Sequence, residues 1–346
     1  METYNWKNKN VVVTGGASFI GSHLCEELVK IGVNVTVIDN FTSGKKENLS
    51  EIEENCNIIV GDCRSLEFML DNTRNCDVLF HLAAAHGGRG YIATHPVECS
   101  NNLVIDSTVF KACHINKIDR TCFASSGCVY PVDLQVEPTD GKYIYLEEEM
   151  VDPFVNGKCA PDLEYGLAKL AGETALRAYN KQYGLKGVSC RFMVAYGERE
   201  NESHAVIALI AKSLIKQDPF EIWGDGNQDR SFIYVKDIAV GLIKASENIT
   251  DCSAVNIGTD LHTKIIDLVK IISDETDYHP KEFKFNQSKP VGVYSRAVDI
   301  TKMKKELNWL PQTSVELGIK KTVEWYKSNR DLEFVKNNLD KLLHER

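Results

Sequence analysis

Tyr165 and Lys169 stand one helical turn apart in Tyr165-Gly166-Leu167-Ala168-Lys169. On a helix this i,i+4 spacing sets a phenol and an ammonium on one face, where the cation favours the tyrosinate and lowers a pKa that is ordinarily about 10. A tyrosinate held this way can take the proton of a sugar or alcohol hydroxyl while a nicotinamide takes the hydride, so the pair predicts an oxidation. With thirteen tyrosines in a lysine-rich chain, one such match also arises by chance. Its weight comes from what surrounds it.

The elements that would hold such a pair begin upstream. Val11-Val12-Val13 reads as a short buried strand, followed by Thr14-Gly15-Gly16-Ala17-Ser18-Phe19-Ile20-Gly21. Ile20, Leu24 and Leu28 then recur at helical spacing, and Gly32 is placed to end that helix. Ser18 stands where the usual dinucleotide fingerprint has its second glycine, which lets the backbone approach a pyrophosphate; a serine Cβ is tolerable there at negative φ. Taken by itself the loop also fits a glycine turn with no ligand. The next strand, 33–38, ends in Asp39, 18 residues past Gly21. That is the offset at which a dinucleotide fold presents a carboxylate to the adenosine ribose diol. A free 2′-hydroxyl can donate to Asp39 and a 2′-phosphate is repelled by it, so the expected cofactor is NAD.

The alternation continues, with strands expected at 58–60 before Gly61-Asp62, at 78–82 before Ala83-Ala84-Ala85, and at 121–124 before Ser125-Ser126. Helical stretches separate them. This predicts an α/β fold, a Rossmann-type doubly wound parallel sheet, whose ligands sit beyond the carboxyl ends of the strands. Asp39, Asp62, the 83–90 loop and Ser126 fall at such ends, and three small alanines would let a nicotinamide lie close to the backbone. Beyond 187 the pattern shifts to a strand at 188–193, a helix at 205–216, a turn at 222–226 and a strand at 230–235. Helices follow at 237–246, 264–276, 300–308 and 314–329, and 330–346 reads as a last charged helix on the surface. The expected division is a NAD-binding domain over 1–187 and a smaller, mainly substrate-binding C-terminal domain over 188–346. The two are interleaved, because about 232–262 returns to the first.

The chain has 346 residues, 43% of them hydrophobic and 26% charged, with a formal net charge of −9. This composition excludes disorder and argues against non-specific binding to DNA or anionic membranes. No lysine-rich run reads as a nucleic-acid arm, and no stretch reaches the ~18 uninterrupted apolar residues of a membrane span. The first ten residues lack the apolar core of a signal peptide, so the expected location is cytoplasmic. Eleven cysteines without a Cys-x-x-Cys pair fit reduced thiols better than a disulfide framework or a zinc site, and no metal is expected.

Together these pieces resemble the extended short-chain dehydrogenase/reductase family that works on nucleotide sugars, over nearly the whole chain. The resemblance rests on the 14–21 loop, Asp39, Gly61-Asp62, Ser125-Ser126, Tyr165 with Lys169, and Trp223-Gly-Asp-Gly-x-x-x-Arg230-Ser-Phe. It implies a nucleotide-diphosphate sugar as substrate and NAD as cofactor. By the same resemblance Tyr165 is the base, the Ser126 hydroxyl bonds the reacting hydroxyl, and Lys169 also holds the nicotinamide ribose. The cofactor's contacts would be Gly15, Ser18, Phe19, Ile20 and Gly21, then Asp39, Asn40, Ser43 and Gly44. Asp62, Cys63, Leu82, Ala83, Ala84, Asn102 and Met193 would complete them with Tyr165 and Lys169. The substrate's contacts would be Gly87, Gly88, Arg89, Ser126, Cys128, Trp223, Arg230 and Arg296, the forked guanidinium groups of the last two suiting a diphosphate. Family members pair the helices matching 102–114 and 163–183 into a four-helix bundle, which implies a homodimer.

The reaction is carried by the two positions after Ser126. Related 4,6-dehydratases have Asp-Glu where this chain has Gly127-Cys128, and 4-epimerases have a threonine at the place of Cys128. Ser125-Ser126-Gly127-Cys128-Val129-Tyr130-Pro131 and His86-Gly87-Gly88-Arg89-Gly90-Tyr91 resemble the GDP-mannose 3,5-epimerase branch instead. There, oxidation at C4 acidifies the hydrogens on C3 and C5, and a thiolate could remove one. A free thiol has a pKa of about 8.5, so Cys128 would need a positive group nearby. The branch also uses a lysine as the acid on the opposite face. Aligning the helix that follows puts His204 there, and histidine, with a pKa of about 6.5, can do either job. A buried inert Cys128 and a His204 that only caps its helix are the plain alternatives.

Two features depart from the family: Val194 replaces an asparagine that touches the diphosphate, and the 131–164 segment is longer than usual. The expected function is a NAD-dependent nucleotide-sugar epimerase that oxidises C4, inverts C3, C5 or both with Cys128, and returns the hydride. Two alternatives within the family stay open, a 4-epimerase and a dehydratase that expels the C6 hydroxyl. Outside enzymes, a NAD-binding redox-sensing regulator is the alternative, and the presence of Tyr165, Lys169 and Ser126 counts against it.

Overall fold

A strand covered on both faces carries apolar side chains in unbroken succession rather than in alternation. Val11-Val12-Val13 is such a run, and it lies inside a seven-stranded sheet of the computed structural model, which describes residues 4–345. The strand order is Asp251–Ile257, Gly187–Phe192, Arg120–Ser126, Val78–His81, Asn10–Thr14, Asn34–Asp39 and Cys56–Val60, each neighbouring pair parallel. Val11 and Val13 join a core with Leu24 and Leu28 of helix Phe19–Lys30 and Ile238 and Leu242 of helix Val235–Asn248. Val12 joins a different core, with Val109 and Phe110 of helix Asn102–Ile115 and Leu176 of helix Leu163–Tyr183. Each fully buried leucine contributes about 1.5–3 kcal/mol. The two-sided burial also fixes register, because a slip of one residue would exchange the two faces.

From Asn10–Thr14 the chain runs outward to Cys56–Val60 and then crosses to Val78–His81 on the other side. At that reversal the connections diverge, which opens the crevice where sheets of this kind hold ligands. The doubly wound α/β expectation is met. The sheet takes its last two strands from Gly187–Phe192, which straddles the 187/188 division, and Asp251–Ile257, which falls within the 232–262 segment.

A further core lies in the C-terminal part. Helices Ala205–Leu214, Ile265–Thr276, Val315–Asn329 and Leu332–Leu342 bury Ile207, Ile210, Leu268, Ile272, Ile319 and Val323 in it, together with Val335 and Leu339. The helix expected to lie on the surface at 330–346 is thus held by an apolar edge, Val335 and Leu339 being one turn apart; Arg346 lies outside the described residues. The strand expected at 230–235 is divided. Asp229–Arg230 joins a sheet with Thr263–Lys264, Ser295–Val298 and Tyr145–Leu146, whereas Phe232–Tyr234 pairs with Val194–Tyr196. The turn expected at 222–226 begins inside strand Phe220–Trp223 and closes on Gly224 and Gly226, at φ +84° and +80°. Tyr145–Leu146 belongs to the long 131–164 segment, which therefore laces the C-terminal sheet to the chain that carries Tyr165.

Candidate active site

Gly15 has φ +71°, which an L side chain adopts only with strain, and a Cβ there would lie 2.8 Å from the Ala83 nitrogen. A Cβ at Gly21 would lie 2.1 Å from the Gly15 carbonyl oxygen. Together they hold the turn tight against the start of helix Phe19–Lys30, whose first turn has unpaired backbone N–H groups and no acidic side chain. Ser18 sits at the N-cap with φ −84°, the negative value its Cβ needs, and its hydroxyl donates to the Gly15 carbonyl at 2.5 Å. Asp39 accepts the N–H groups of Ala17 and Phe41 at 3.0 and 2.8 Å, and a Cβ at Gly44 would lie 2.8 Å from its oxygens. Burial pushes the Asp39 carboxyl above its ordinary range, and those backbone N–H groups oppose the rise. Asn40 and Ser43 are exposed at the rim. The cradle fits a dinucleotide: donors at a helix start for the pyrophosphate, and an acceptor-only side chain beyond the second strand for a diol.

Other expected cofactor contacts are placed differently. Asn102 is fully buried, and its amide brackets Ala85, accepting from the nitrogen at 2.7 Å and donating to the carbonyl at 3.0 Å. It braces the 83–85 loop, of which Ala83 and Ala84, like Leu82 before them, stay partly open. Asp62 is ion-paired with Arg64, Cys63 is buried, and Met193 packs against Gly127 and Gly258.

The reaction centre is assembled by Gly166. A Cβ there would lie 2.2 Å from the Cys128 carbonyl oxygen, to which the Asp162 nitrogen donates at 2.8 Å. The helix bearing Tyr165 can lie against the 127–129 turn only because residue 166 has no side chain, and the Ser126 hydroxyl accepts the Cys128 N–H at 3.1 Å in that turn. Gly166→Ala should therefore lose about 1–3 kcal/mol of stability despite alanine's better helix propensity. A denaturant titration checks it; an unchanged midpoint would show that the turn yields freely.

Tyr165 and Lys169 are 5% and 1% exposed. The expected lowering of the phenol is reversed in the protein alone: burial pushes Tyr165 well above its ordinary range, the neighbouring Cys128 adds to the rise, and the Ser126 hydroxyl opposes it. Burial also pulls the Lys169 ammonium downward, against Asp106 and Glu173, and sets it 4.7 Å from the Phe123 ring centre. The helical spacing does put both groups on one face. Desolvation of each outweighs what a cation one turn away supplies.

Around Cys128 the structure gathers residues far apart in sequence. Arg296 places Nη1 3.5 Å from the Cys128 Sγ and Nη2 3.2 Å from Asp162 Oδ2, while its Nε donates to Gln135. The other Asp162 oxygen accepts from Arg89 Nη1 at 2.7 Å. Cys128 thus has a guanidinium beside it. Asp162 and Gln135 were not among the expected site residues; the one signal was that Asp162 precedes Tyr165 by three residues, at the N-cap of its helix. Arg230, expected on a diphosphate, is used internally. Its Nη1 and Nη2 donate to the carbonyls of Asp229, Tyr294, Val291 and Val293, and burial pulls the guanidinium down to about 10. It braces the 291–294 loop, while Arg89 keeps 30% of its side chain exposed next to buried Gly87 and Gly88. Trp223 lies on its strand with its ring centre 5.6 Å from that of His344, which borders Gly90, and with the Lys289 and Lys212 ammonium groups 5.1 and 5.9 Å from its ring centre. His204 is brought in: its ring centre is 5.2 Å from that of His86, which is 5.0 Å from that of Tyr165.

The sequence profile described as the NAD dependent epimerase/dehydratase family matches residues 11–258. The chain is 30% identical over 341 residues to the GDP-mannose 3,5-epimerase of Arabidopsis thaliana, covering 96% of this chain and 86% of that one. It is 32% identical over 323 residues to a Methanocaldococcus jannaschii protein provisionally described as a UDP-glucose 4-epimerase, covering 92% and 99%. Among solved structures, the UDP-N-acetylglucosamine 4-epimerase of Methanobrevibacter ruminantium in complex with UDP-N-acetylmuramic acid aligns with a TM-score of 0.80 at 30% identity, covering 94% and 100%.

Proposed function

The chain belongs to the NAD-dependent epimerase/dehydratase family, and on that premise we propose that it inverts C3, C5 or both of a nucleotide-diphosphate sugar through a transient 4-keto intermediate. The observation that supports this most is the Cys128 thiol, 3.5 Å from the Arg296 guanidinium and packed against Tyr165. A guanidinium donor is thus in contact with the sulfur that acts as the base. When bound, NAD supplies the acceptor and later the donor for the C4 hydride. Tyr165 takes the proton of the C4 hydroxyl, Ser126 orients that hydroxyl, and Lys169 with the 15–21 turn and Asp39 holds the cofactor. Cys128 then removes the proton from C3 or C5, the electron pair moving into the carbonyl as an enolate, and His204 protonates the opposite face. Arg89, Gly87 and Gly88 lie where they can meet the substrate; Arg230 supports them from behind through the 291–294 loop, whose Gly292 borders Arg89.

NMR of the products from a panel of GDP-, UDP- and dTDP-sugars tests the reading. The expected product is inverted at C3 or C5 and keeps its C6 hydroxyl; inversion at C4 alone, or loss of C6 oxygen, would overturn it. The names of the Methanocaldococcus and Methanobrevibacter relatives favour 4-epimerisation as the second reading. Removing the Asp39 carboxylate takes away the acceptor for the ribose diol, so Asp39→Ala should weaken NAD binding by about 10- to 100-fold. Calorimetry giving an unchanged Kd would remove Asp39 from the cofactor site.

Leu103, Val104, Leu163 and Leu167 are exposed on helices Asn102–Ile115 and Leu163–Tyr183, and we place the contact of a homodimer on them. No helix among the described residues is long and apolar enough to cross a membrane. Among the described residues no two cysteines form a disulfide, not even Cys122 and Cys190 with sulfurs 3.8 Å apart, which supports placing the enzyme in the cytoplasm.

A further inference from the structure

Three glutamates alternate along the loop that precedes helix Ala205–Leu214, and two of them have plain structural partners. Glu198 accepts the Tyr234 hydroxyl at 2.6 and 2.8 Å, and Glu202 accepts that of Tyr326 at 2.7 Å. Glu200 differs. It is 1% exposed, neither of its oxygens receives a well-aligned hydrogen bond, and its ion-pair contact is His204, whose Nδ1 lies 2.9 Å from Oε1. A buried carboxylate without donors is a costly arrangement, and an isosteric amide or an apolar side chain would relieve it. Burial raises the Glu200 carboxyl, and His204 is what opposes the rise.

The histidine is held from a second direction. A Cβ on Gly88 would lie 1.7 Å from the Ser203 carbonyl oxygen, and the Gly88 nitrogen donates to the Ser203 hydroxyl at 3.3 Å. The 87–88 turn and the 203–204 segment are thus in the closest approach that glycine permits. This sets His204 against His86, and His86 against Tyr165. With Nδ1 turned to Glu200, Nε2 is the nitrogen left for the reaction centre, and 19% of the side chain is exposed.

We propose that Glu200 is the positioning residue of the reaction: it fixes the ring and tautomer of His204 so that Nε2 carries the proton exchange with the sugar, on the face opposite Cys128. The inference rests on the inversion described above. As the enolate collapses, the Nε2–H bond breaks and a C–H bond forms. His204 is left neutral with Nδ1–H toward Glu200, and Cys128 keeps the proton it removed. Exchange of both groups with water resets the pair, so no other reactant is needed. The carboxylate faces Nδ1 of His204 as the Arg296 guanidinium faces the Cys128 sulfur.

The test uses Glu200→Gln in the full-length protein, with 15N-labelled histidine and with an active nucleotide sugar in D2O. In the wild type, the two-bond 15N–1H pattern of neutral His204 should show the proton on Nδ1. In the variant the amide can donate to Nδ1, so the Nε2–H tautomer should appear. Inverted product should fall by about 10²-fold or more, while deuterium should still enter recovered substrate through Cys128. In a His204→Ala background, Glu200→Gln should change the rate by less than about twofold, since the two act as one unit. An unchanged tautomer, or a variant that lowers exchange and inversion alike, overturns the proposal, as does an additive loss in the double variant. If the wild type incorporates no deuterium, the C3/C5 inversion fails, and the tautomer shift then decides by itself whether Glu200 sets His204.

Discussion

Tyr165→Phe is expected to lower turnover by about 10²–10⁴-fold, the range of general acid–base groups, while leaving the affinity for the nucleotide sugar within a few-fold. The change removes one oxygen from a side chain already packed to 5% exposure, so the ring keeps its place against His86 and Cys128 and the fold should survive. Only the group that takes the C4 proton is lost. Because burial holds the phenol well above its ordinary range, the unaided tyrosinate is a minor species, and the reaction depends on charge brought near it when cofactor and Lys169 act together. Lys169→Met should therefore reduce both NAD affinity and rate, unlike the phenylalanine variant. Turnover of Tyr165→Phe close to wild type would show that another group takes the proton.

Cys128→Ser is expected to cost inversion about 10²–10⁴-fold without stopping the earlier oxidation. Serine is nearly the same size, but its hydroxyl is a far weaker acid than a thiol beside a guanidinium 3.5 Å away. With C4 oxidised and the C–H bond intact, reduced nicotinamide should accumulate, and its absorbance should persist where the wild type shows it only in passing. Arg296→Lys should act in the same direction more weakly, because an ammonium cannot reach the thiol, Asp162 and Gln135 with three separate donors. If Cys128→Ser turns over normally, the thiol is a packing residue.

The central strands were legible because burial on both faces leaves an unbroken apolar run, and Asp39 because its offset from Gly21 follows from the length of one helix, one turn and one strand. Ser18 was legible as a departure whose condition, a negative φ, is met. The site around Cys128 was legible only in its local pieces. Arg296 lies 168 residues from Cys128 and meets it through Gln135 and Asp162, contacts made by the crossing of the 131–164 segment onto strand Ser295–Val298. No periodicity encodes that. Arg230 looked like a phosphate ligand because its motif is local, whereas the four carbonyls that occupy it belong mostly to a loop about 60 positions downstream. The Tyr165–Lys169 spacing gave the shared face but not the depth of burial, and depth sets the sign of both shifts. Glu200 carries no signal in the sequence; its burial with His204 as its ion-pair contact is a property of the packed chain.

The most direct measurement is the isotopic fate of the sugar ring during turnover in D2O. Removal of a proton from a 4-keto intermediate by a thiol that exchanges with water places deuterium on the carbon that is inverted. The account predicts deuterium at C3, C5 or both in the product, with the C6 hydroxyl retained and the label abolished in Cys128→Ser. Complete conversion with no deuterium on the ring would contradict it and assign the chain to 4-epimerisation, and deuterium at C5 with the C6 oxygen lost would assign it to dehydration.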